Sequence, residues 1–458
     1  MLKLGTSFML LVVLVQVGAH DFVIKRQASH LHAHHHHHGG HPGGHHQPPP
    51  AQHAPGRPSS ASPPSNSSSP VPSLPAAQAA CSGMSPLIKG CPAGFGSLTR
   101  GGGTAPPVYP KTNAELASYL SSAEPQVIVL NREFNFIGSQ GKGVGDGCAP
   151  WGTAPACQVA LNYAGWCDTY ESQAPRVKGI EYDAAGAVAL PVSSRKTIVG
   201  VGRAGVIRGK GLRIANAEDV ILQNVKITEI NPRVIWAGDA IDIGGASTSR
   251  VWIDHVTISE VGRQMLVMHE GKNQGITVSN VHFDGETPYS NRCNGQHYWT
   301  AKISGTDDKV TMMNCRFTHF LGRSPQVGGP VGTSLVHVLN NVWEGSSEEA
   351  HAFEVIDGGR VLAEGNFFAN VPLLVDQSHG LASLLTVDNS VVKAVLCSGV
   401  LGRRCEPNVL ENSGPAFDFQ TGDVLQAARW IGLPSVPAVA PADAIRDAVI
   451  SNAGYGMK

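Results

Sequence analysis

Nine cysteines, a histidine tract and one acidic–basic stretch carry the chemistry that can be read first. The cysteines are Cys81, Cys91, Cys148, Cys157, Cys167, Cys293, Cys315, Cys397 and Cys405. No two form a CxxC pair, so a zinc ribbon is not expected. Eight fall in loop-like sequence and suit disulfides. Cys315 falls inside a strand-like segment, where a buried free thiol packing as a small hydrophobe is expected. Twelve of the 20 histidines lie between His20 and about residue 80, including His34 to His38. Imidazoles at that density can bind metal, but the surrounding Pro, Gly and Ser make a solvated spacer the expected role. Further along, Asp239, Asp242 and Glu260 offer carboxylate oxygens, of which a hard cation such as Ca²⁺ gathers about six to eight. Arg263 falls among them and argues against a cation site there.

These residues need a scaffold, and the chain announces where it begins. Met1 to Ala19 reads as a secretory signal, with Lys3 as the positive start, an apolar run from Phe8 to Val15, and small residues at Val17-Gly18-Ala19. Secretion makes disulfides the default state of the cysteines. Residues 20–80 are low-complexity, too poor in apolar residues to offset the entropy of ordering, and are expected to be disordered. Asn66-Ser67-Ser68 is a glycosylation sequon within them. The folded domain is therefore expected over 81–458. The formal net charge of −1 argues against a nucleic-acid partner held by bulk charge. No internal run of 18 apolar residues exists, so no mature membrane span is expected. Charged residues are only 15%, against about 25% in typical soluble domains, which disfavours long solvated helices.

The middle of the chain repeats. Six octads align without internal gaps, starting at Val220, Val251, Ile276, Val310, Val336 and Val361. They read VILQNVKI, VWIDHVTI, ITVSNVHF, VTMMNCRF, VHVLNNVW and VLAEGNFF. Alternating apolar positions give the strand period, and no long helix separates the repeats, so stacked coils are expected. A propeller blade would need about 40–45 residues, and a sandwich would show hairpin turns every 8–12 residues. The fifth octad positions are Asn224, His255, Asn280, Asn314, Asn340 and Gly365. Asparagines stacked at one bend are expected to hydrogen-bond to one another along the coil axis, the mark of a parallel β-helix. Thr112-Asn113-Ala114-Glu115 is a capping box before a short helix ending near Leu120, and a strand should run from Pro125 to Leu130. Asp423 to Ile431 and Ala442 to Ser451 read as amphipathic helices covering an end or side.

The run of VWIDH (251–255), GDAI (238–241), GRQ (262–264), HYW (297–299) and GRSPQV (322–327) resembles the fungal-type pectin lyases of polysaccharide lyase family one. CAPWGT (148–153), IVGVG (198–202), IRGKGLRI (207–214) and HAFE (351–354) fit the same pattern, and the likeness extends over about residues 80–458. The resemblance implies an all-β, right-handed parallel β-helix with short capping helices and a substrate groove along one side. It implies β-elimination on methyl-esterified polygalacturonan, and disulfides Cys148–Cys167, Cys157–Cys293 and Cys397–Cys405. Cys81 and Cys91 are left to pair locally. A secreted, extracellular monomer acting on pectin, without cofactor or metal, is expected.

Elimination requires loss of the C5 proton, stabilisation of the enolate that forms, and departure of the C4 oxygen. An ester acidifies C5–H more than a carboxylate does, so acting on the carboxylate calls for a cation such as Ca²⁺ to neutralise it. The Ca²⁺-dependent pectate lyases carry an extra acid two residues before Asp239, where this chain has Ala237, and further acids where it has Arg263. An Asp239–Arg263 ion pair filling the place of the metal is the expected arrangement. Arg323 matches the family's catalytic arginine. Free arginine holds its proton to above about pH 12, so enolate stabilisation stands beside proton removal as its role. Trp151, Trp166, Trp236, Tyr298 and Trp299 match the cleft aromatics, which suit an uncharged ester. Tyr170 stands where the family often has Trp, and Lys302 where it often has Tyr; the lysine would favour partly de-esterified pectin. Asp254 belongs to the signature, and His255, at the bend position, is expected to be scaffold. A Ca²⁺-dependent pectate lyase and a catalytically inactive, wall-polysaccharide-binding solenoid are the competing readings.

Overall fold

Alternation of apolar and polar residues commits each repeat to a strand with one face inward, and successive repeats place those faces in register. The computed structural model describes residues 82–456 apart from 270, 331, 377–381, 417, 419–420 and 430–436. The signal, the histidine tract, the Asn66 sequon and Cys81 therefore lie outside the described residues. The six octad starts stand side by side, Val220↔Val251↔Ile276↔Val310↔Val336↔Val361, all in parallel. The same column continues to Lys196 and Gln126 on one side and to Leu384 on the other. It forms a 10-stranded sheet, one of three long parallel sheets of 10, 9 and 8 strands that wind into a right-handed parallel β-helix.

Each octad is two strands rather than one. Its first four residues belong to the 10-stranded sheet, its last residues to the 9-stranded sheet, and the fifth residue makes the corner. There φ is +58° at Asn224, +48° at His255, +51° at Asn280, +54° at Asn314, +52° at Asn340 and +60° at Gly365. Asn and Gly tolerate this left-handed conformation best, which is why they recur. The expected side-chain ladder does not form at that position. Asn224 donates instead to the Gly200 and Gly202 carbonyls, Asn340 to those of Gly365 and Ala440, and Asn280 to the Asp254 carboxylate. The amide-to-amide ladder lies one residue later, where the side chain points into the stack. Asn341 Nδ2 donates to Asn366 Oδ1 at 3.0 Å, and Asn366 Nδ2 to Asn408 Oδ1 at 2.9 Å. Cys315 ends this file, free and fully buried, its N–H donating to Asn341 Oδ1.

Inside the coil, equivalent positions stack like on like. Phe283, Phe317, Trp343 and Phe368 form a file with ring centroids 4.8, 4.7 and 4.6 Å apart. One end is closed by a helix, Asn113–Ser121, with Leu116 and Leu120 fully buried. Thr112 Oγ1 accepts from the Glu115 N–H, and Glu115 reaches back to the Lys111 N–H, one residue before the expected partner. The strand after it spans Gln126–Leu130. Helices Thr421–Arg429 and Ala442–Asn452 form near the expected places; a third, Val391–Leu401, was not foreseen. Also unforeseen is a small sheet of Lys142–Cys148, Val159–Leu161, Arg176–Asp183 and Val234–Ile235, with antiparallel pairings among the first three.

The disulfides Cys148–Cys167, Cys157–Cys293 and Cys397–Cys405 form. Cys91 is disulfide-bonded too. The first joins the small sheet to the short helix Trp166–Thr169, and the second ties the loop before Val159–Leu161 to the loop before HYW.

Candidate active site

Three motifs meet at one corner of the coil because each lies beside the 8-stranded sheet. Arg323 precedes the strand Gln326–Val327, HYW precedes Ala301–Ile303, and GRQ precedes Leu266–Met268. These strands are neighbours. The HYW residues each secure a different part of the site. His297 Nε2 donates to the Arg263 carbonyl at 2.8 Å, and burial holds its imidazole neutral down to about pH 4. Tyr298 donates its hydroxyl to Glu354 at 2.6 Å. Trp299 lies under Arg323, whose guanidinium carbon is 4.7 Å from its ring centroid.

Arg323 is held from several sides. Its backbone is left-handed (φ +47°), and its carbonyl accepts from the Ala301 N–H. Its side chain is only 10% exposed, and Nε stands 3.7 Å from Glu354 Oε2. Nε is buried and makes no hydrogen bond among the described residues. Glu354, 1% exposed, accepts from Tyr298 Oη, from Gln326 Nε2 at 2.7 Å and from His351 Nε2 at 2.8 Å. Burial alone would push its carboxyl up. The His351 hydrogen bond and the Arg323 charge outweigh that and bring it down to about 2, so it is a carboxylate.

Asp239 and Arg263 form the second charged unit. Arg263 Nη1 lies 3.1 Å from Asp239 Oδ2, while Asp239 Oδ1 accepts from the Gln264 N–H at 2.8 Å. The Arg263 guanidinium stacks over Trp236 at 3.8 Å. Asp242 is drawn away from this pair by His269 and Arg213. Glu260 sits on a strand of the 9-stranded sheet, so it is not part of this group. A grouping of potential metal ligands, Asp284, Glu286 and His319, contains none of these residues.

The aromatics form one connected array. Trp151 lies 6.3 Å from Trp166 and 6.0 Å from Trp299; Trp166 lies 6.1 Å from Trp236 and 6.4 Å from Tyr170; Tyr298 meets Trp299 edge-on at 4.9 Å. Trp151, Trp166, Trp236 and Trp299 pack on the Cys148–Cys167 disulfide region, so the array joins the small sheet and its loops to the HYW segment of the coil. Lys302 projects outward between inward-facing Ala301 and Ile303, in register with Gln326 and then Glu354. Asp254 and His255 lie elsewhere, at the corner between the 10- and 9-stranded sheets. Asp254 there accepts from Gln223, Ser279 and Asn280 and pairs with His255, which is a scaffold arrangement.

Sequence reasoning did not single out Glu354, His351 or Gln326, although HAFE was among the runs quoted. It also passed over Tyr163, which stacks on Trp236 at 5.5 Å.

A guanidinium partly sunk against a buried carboxylate, an arginine in the grip of an aspartate, and a lining of indole rings would suit a sugar polymer with uncharged side groups. Known proteins resemble this chain in sequence and in fold. The family described as "Pectate lyase" matches residues 180–457. "Probable pectin lyase A" of Aspergillus clavatus is 46% identical over 73% of this chain and 86% of its own length. "Pectin lyase B" of Emericella nidulans is 44% identical over 84% of this chain and 98% of its own. Among solved structures, a Bacillus pectate lyase in complex with trigalacturonate shares the fold at TM-score 0.50 and 20% identity, covering 80% of this chain and 99% of that one.

Proposed function

Since the chain belongs to the pectate lyase family, we propose that it is a secreted pectin lyase that cleaves methyl-esterified polygalacturonan by β-elimination. That it is a polysaccharide lyase follows from the family and its pectin lyase relatives. The finer reading rests chiefly on one observation, the Asp239–Arg263 pair. A cation for neutralising a uronate carboxylate needs several free carboxylate oxygens. Here Asp239 is committed to an arginine and to a main-chain N–H, and Asp242 to Arg213 and His269. An ester needs no such cation, because its carbonyl already acidifies the C5 proton.

In this mechanism the aromatic array receives the ring faces and ester methyls of the polymer. Arg323 stands at the reacting sugar and acts on the C5 proton or on the enolate left behind. Arg263, held by Asp239 and Trp236, supplies a second fixed positive charge beside the C6 carbonyl. The C5 proton passes to Arg323 in its neutral form or to water, the C5–H electron pair forms C4=C5 as the C4–O bond breaks, and the leaving oxygen takes up a proton from water. Lys302, projecting from the same sheet face, meets a free carboxylate of partly de-esterified polymer. The protein works as a monomer and needs no cofactor.

The test is the product. Purified protein with high-ester pectin should release oligomers that absorb in the ultraviolet through the new double bond and lack the mass of one added water. Saturated oligomers that have gained water would show hydrolysis and overturn the proposal.

A further inference from the structure

We propose that Tyr163 is a further sugar-binding residue: its exposed ring extends the aromatic array beyond Trp236 and stacks on a pyranose ring of the polymer outside the reacting pair. This rests on the reading of the protein as a lyase of methyl-esterified polygalacturonan, and adds a position to its cleft.

The placement follows from the small sheet. Val159–Leu161 and Val234–Ile235 run side by side in parallel, with Val159 opposite Val234 and Ala160 opposite Ile235. Tyr163 lies just past the first strand and Trp236 just past the second, so the two rings leave the sheet together. They stack at 5.5 Å between centroids and 19° between planes. Trp236 also carries the Arg263 guanidinium at 3.8 Å and meets Trp166 at 6.1 Å. Tyr163 therefore enters the array at Trp236, beside the Asp239–Arg263 unit, whereas Arg323 stands over Trp299.

Two features set this ring apart. The first is exposure. The other six rings of the array are half-buried, while Tyr163 is 45% exposed although one face lies on Trp236. A lone exposed aromatic needs no explanation; one continuous with a line of cleft indoles presents a bare face where a sugar polymer would continue. The second is the turn that presents it. The Asn162 carbonyl accepts from the Gly165 N–H at 3.3 Å, its side-chain oxygen accepts from the Cys167 N–H at 2.9 Å, and its amide donates to Asp168 at 2.8 Å. Ala164 and Gly165 take left-handed φ values of +48° and +74°, a conformation that alanine adopts only under constraint. The Cys148–Cys167 disulfide then pins the chain. A ring fixed this way before a ligand arrives loses little freedom on binding.

The ligand chemistry fits. In a galacto-configured ring the C3–H, C4–H and C5–H bonds lie on one face, and that face packs on an aromatic ring. A contact outside the reacting pair is made equally in the ground state and the transition state, so it lowers KM without raising kcat.

The test uses the full-length enzyme and methyl-esterified oligogalacturonates of increasing length, with initial rates of double-bond formation and the masses of the products. Tyr163→Ala should raise KM by about 3- to 10-fold on oligomers long enough to reach the added position, with kcat changed less than about twofold. On the shortest oligomers cleaved it should match the unaltered enzyme, and on the longer ones the preferred bond should shift. Tyr163→Phe should behave as the unaltered enzyme, because it keeps the ring. Unchanged KM at every length, the same loss at every length, or a Phe variant as impaired as the Ala variant would each overturn the proposal. The second of these is the result expected of a ring that only props Trp236. Failure of the underlying reading looks different: an unaltered enzyme that forms no double bond in esterified substrate of any length brings down that reading, and this position with it.

Discussion

Arg323→Ala is the substitution with the most to say, because both its costs can be sized from the geometry. The catalytic cost comes from an interaction made chiefly in the transition state, so kcat should fall by about 10²- to 10⁴-fold with little change in KM. That is about 3–5 kcal/mol of barrier, at roughly 1.4 kcal/mol per tenfold. The stability cost is separate. Removing one partner of a buried ion pair costs about 3–5 kcal/mol when the other charge is stranded. Glu354 is not stranded here: three hydrogen bonds remain, and Arg323 was 3.7 Å away without a bond of its own. Loss of the cation–π contact with Trp299 adds about 1 kcal/mol. A folding cost of about 1–3 kcal/mol is therefore expected, well short of unfolding a large solenoid. The assay is the initial rate of unsaturated product on high-ester pectin, with thermal melting and circular dichroism on the same sample. Arg323→Lys separates the two roles of this residue: partial recovery of kcat to the same degree at every pH marks enolate stabilisation, and recovery that grows with pH marks proton removal, since lysine keeps a charge, loses the planar fork and deprotonates more easily. A folded Arg323→Ala enzyme with near-normal kcat would refute the placement of the active site.

The Cys157–Cys293 bond closes a loop of 136 residues, for which chain entropy gives up to about 5 kcal/mol; replacing both by Ser should lower the melting temperature and, by freeing the Trp151 loop, raise KM more than it lowers kcat. An unchanged melting temperature would count against that constraint. Acid should destabilise the fold in two stages. His282 and His297 are held down to about 4 by burial, so as pH falls from 6.5 toward 4 the unfolded chain gains protons that the fold refuses, and stability drops. Asp308, pushed up to about 6 by burial, acts the other way over pH 4–6, so Asp308→Asn should steepen the acid loss. Below about pH 4.5, Glu354 and Glu364, both held down to about 2, lose their contribution as they protonate. A melting temperature flat from pH 7 to 3 would contradict this. Deleting residues 20–80 should leave folding and specific activity unchanged, because that stretch lacks a core-forming pattern; a truncated protein that loses most activity would overturn the domain assignment.

How far the structure was legible in the chain depended on whether a feature repeats. The octad starts align in the sheet as they align in the sequence, because one apolar period serves every coil. The corner residue was legible as a position and misread as a contact: Asn is there for its left-handed φ, while the amide ladder uses Asn341, Asn366 and Asn408. Features outside the repeat were not legible. The small sheet with antiparallel strands carries Gly-rich segments such as Lys142–Cys148 that show no clear period, and Val391–Leu401 has only Lys393 and Ser398 as polar side chains, too few to mark a helical stripe. Arg323, Asp239, Arg263 and the aromatics were reachable because each falls in or beside a short motif that carries the resemblance. Glu354 was not, because its meaning lies in Tyr298, Gln326 and Arg323, which reach it only when neighbouring coils close.

Whether this site acts on an ester without a metal is read from two substrates in the presence and absence of chelator. Initial rates of double-bond formation are recorded on high-ester pectin and on fully de-esterified polygalacturonate, each with EDTA and with added Ca²⁺. With Asp239 committed to Arg263, high-ester pectin should be the faster substrate, and EDTA should leave its rate unchanged. A rate abolished by EDTA, restored by Ca²⁺ and highest on polygalacturonate would contradict the account and assign the protein to the calcium-dependent reaction.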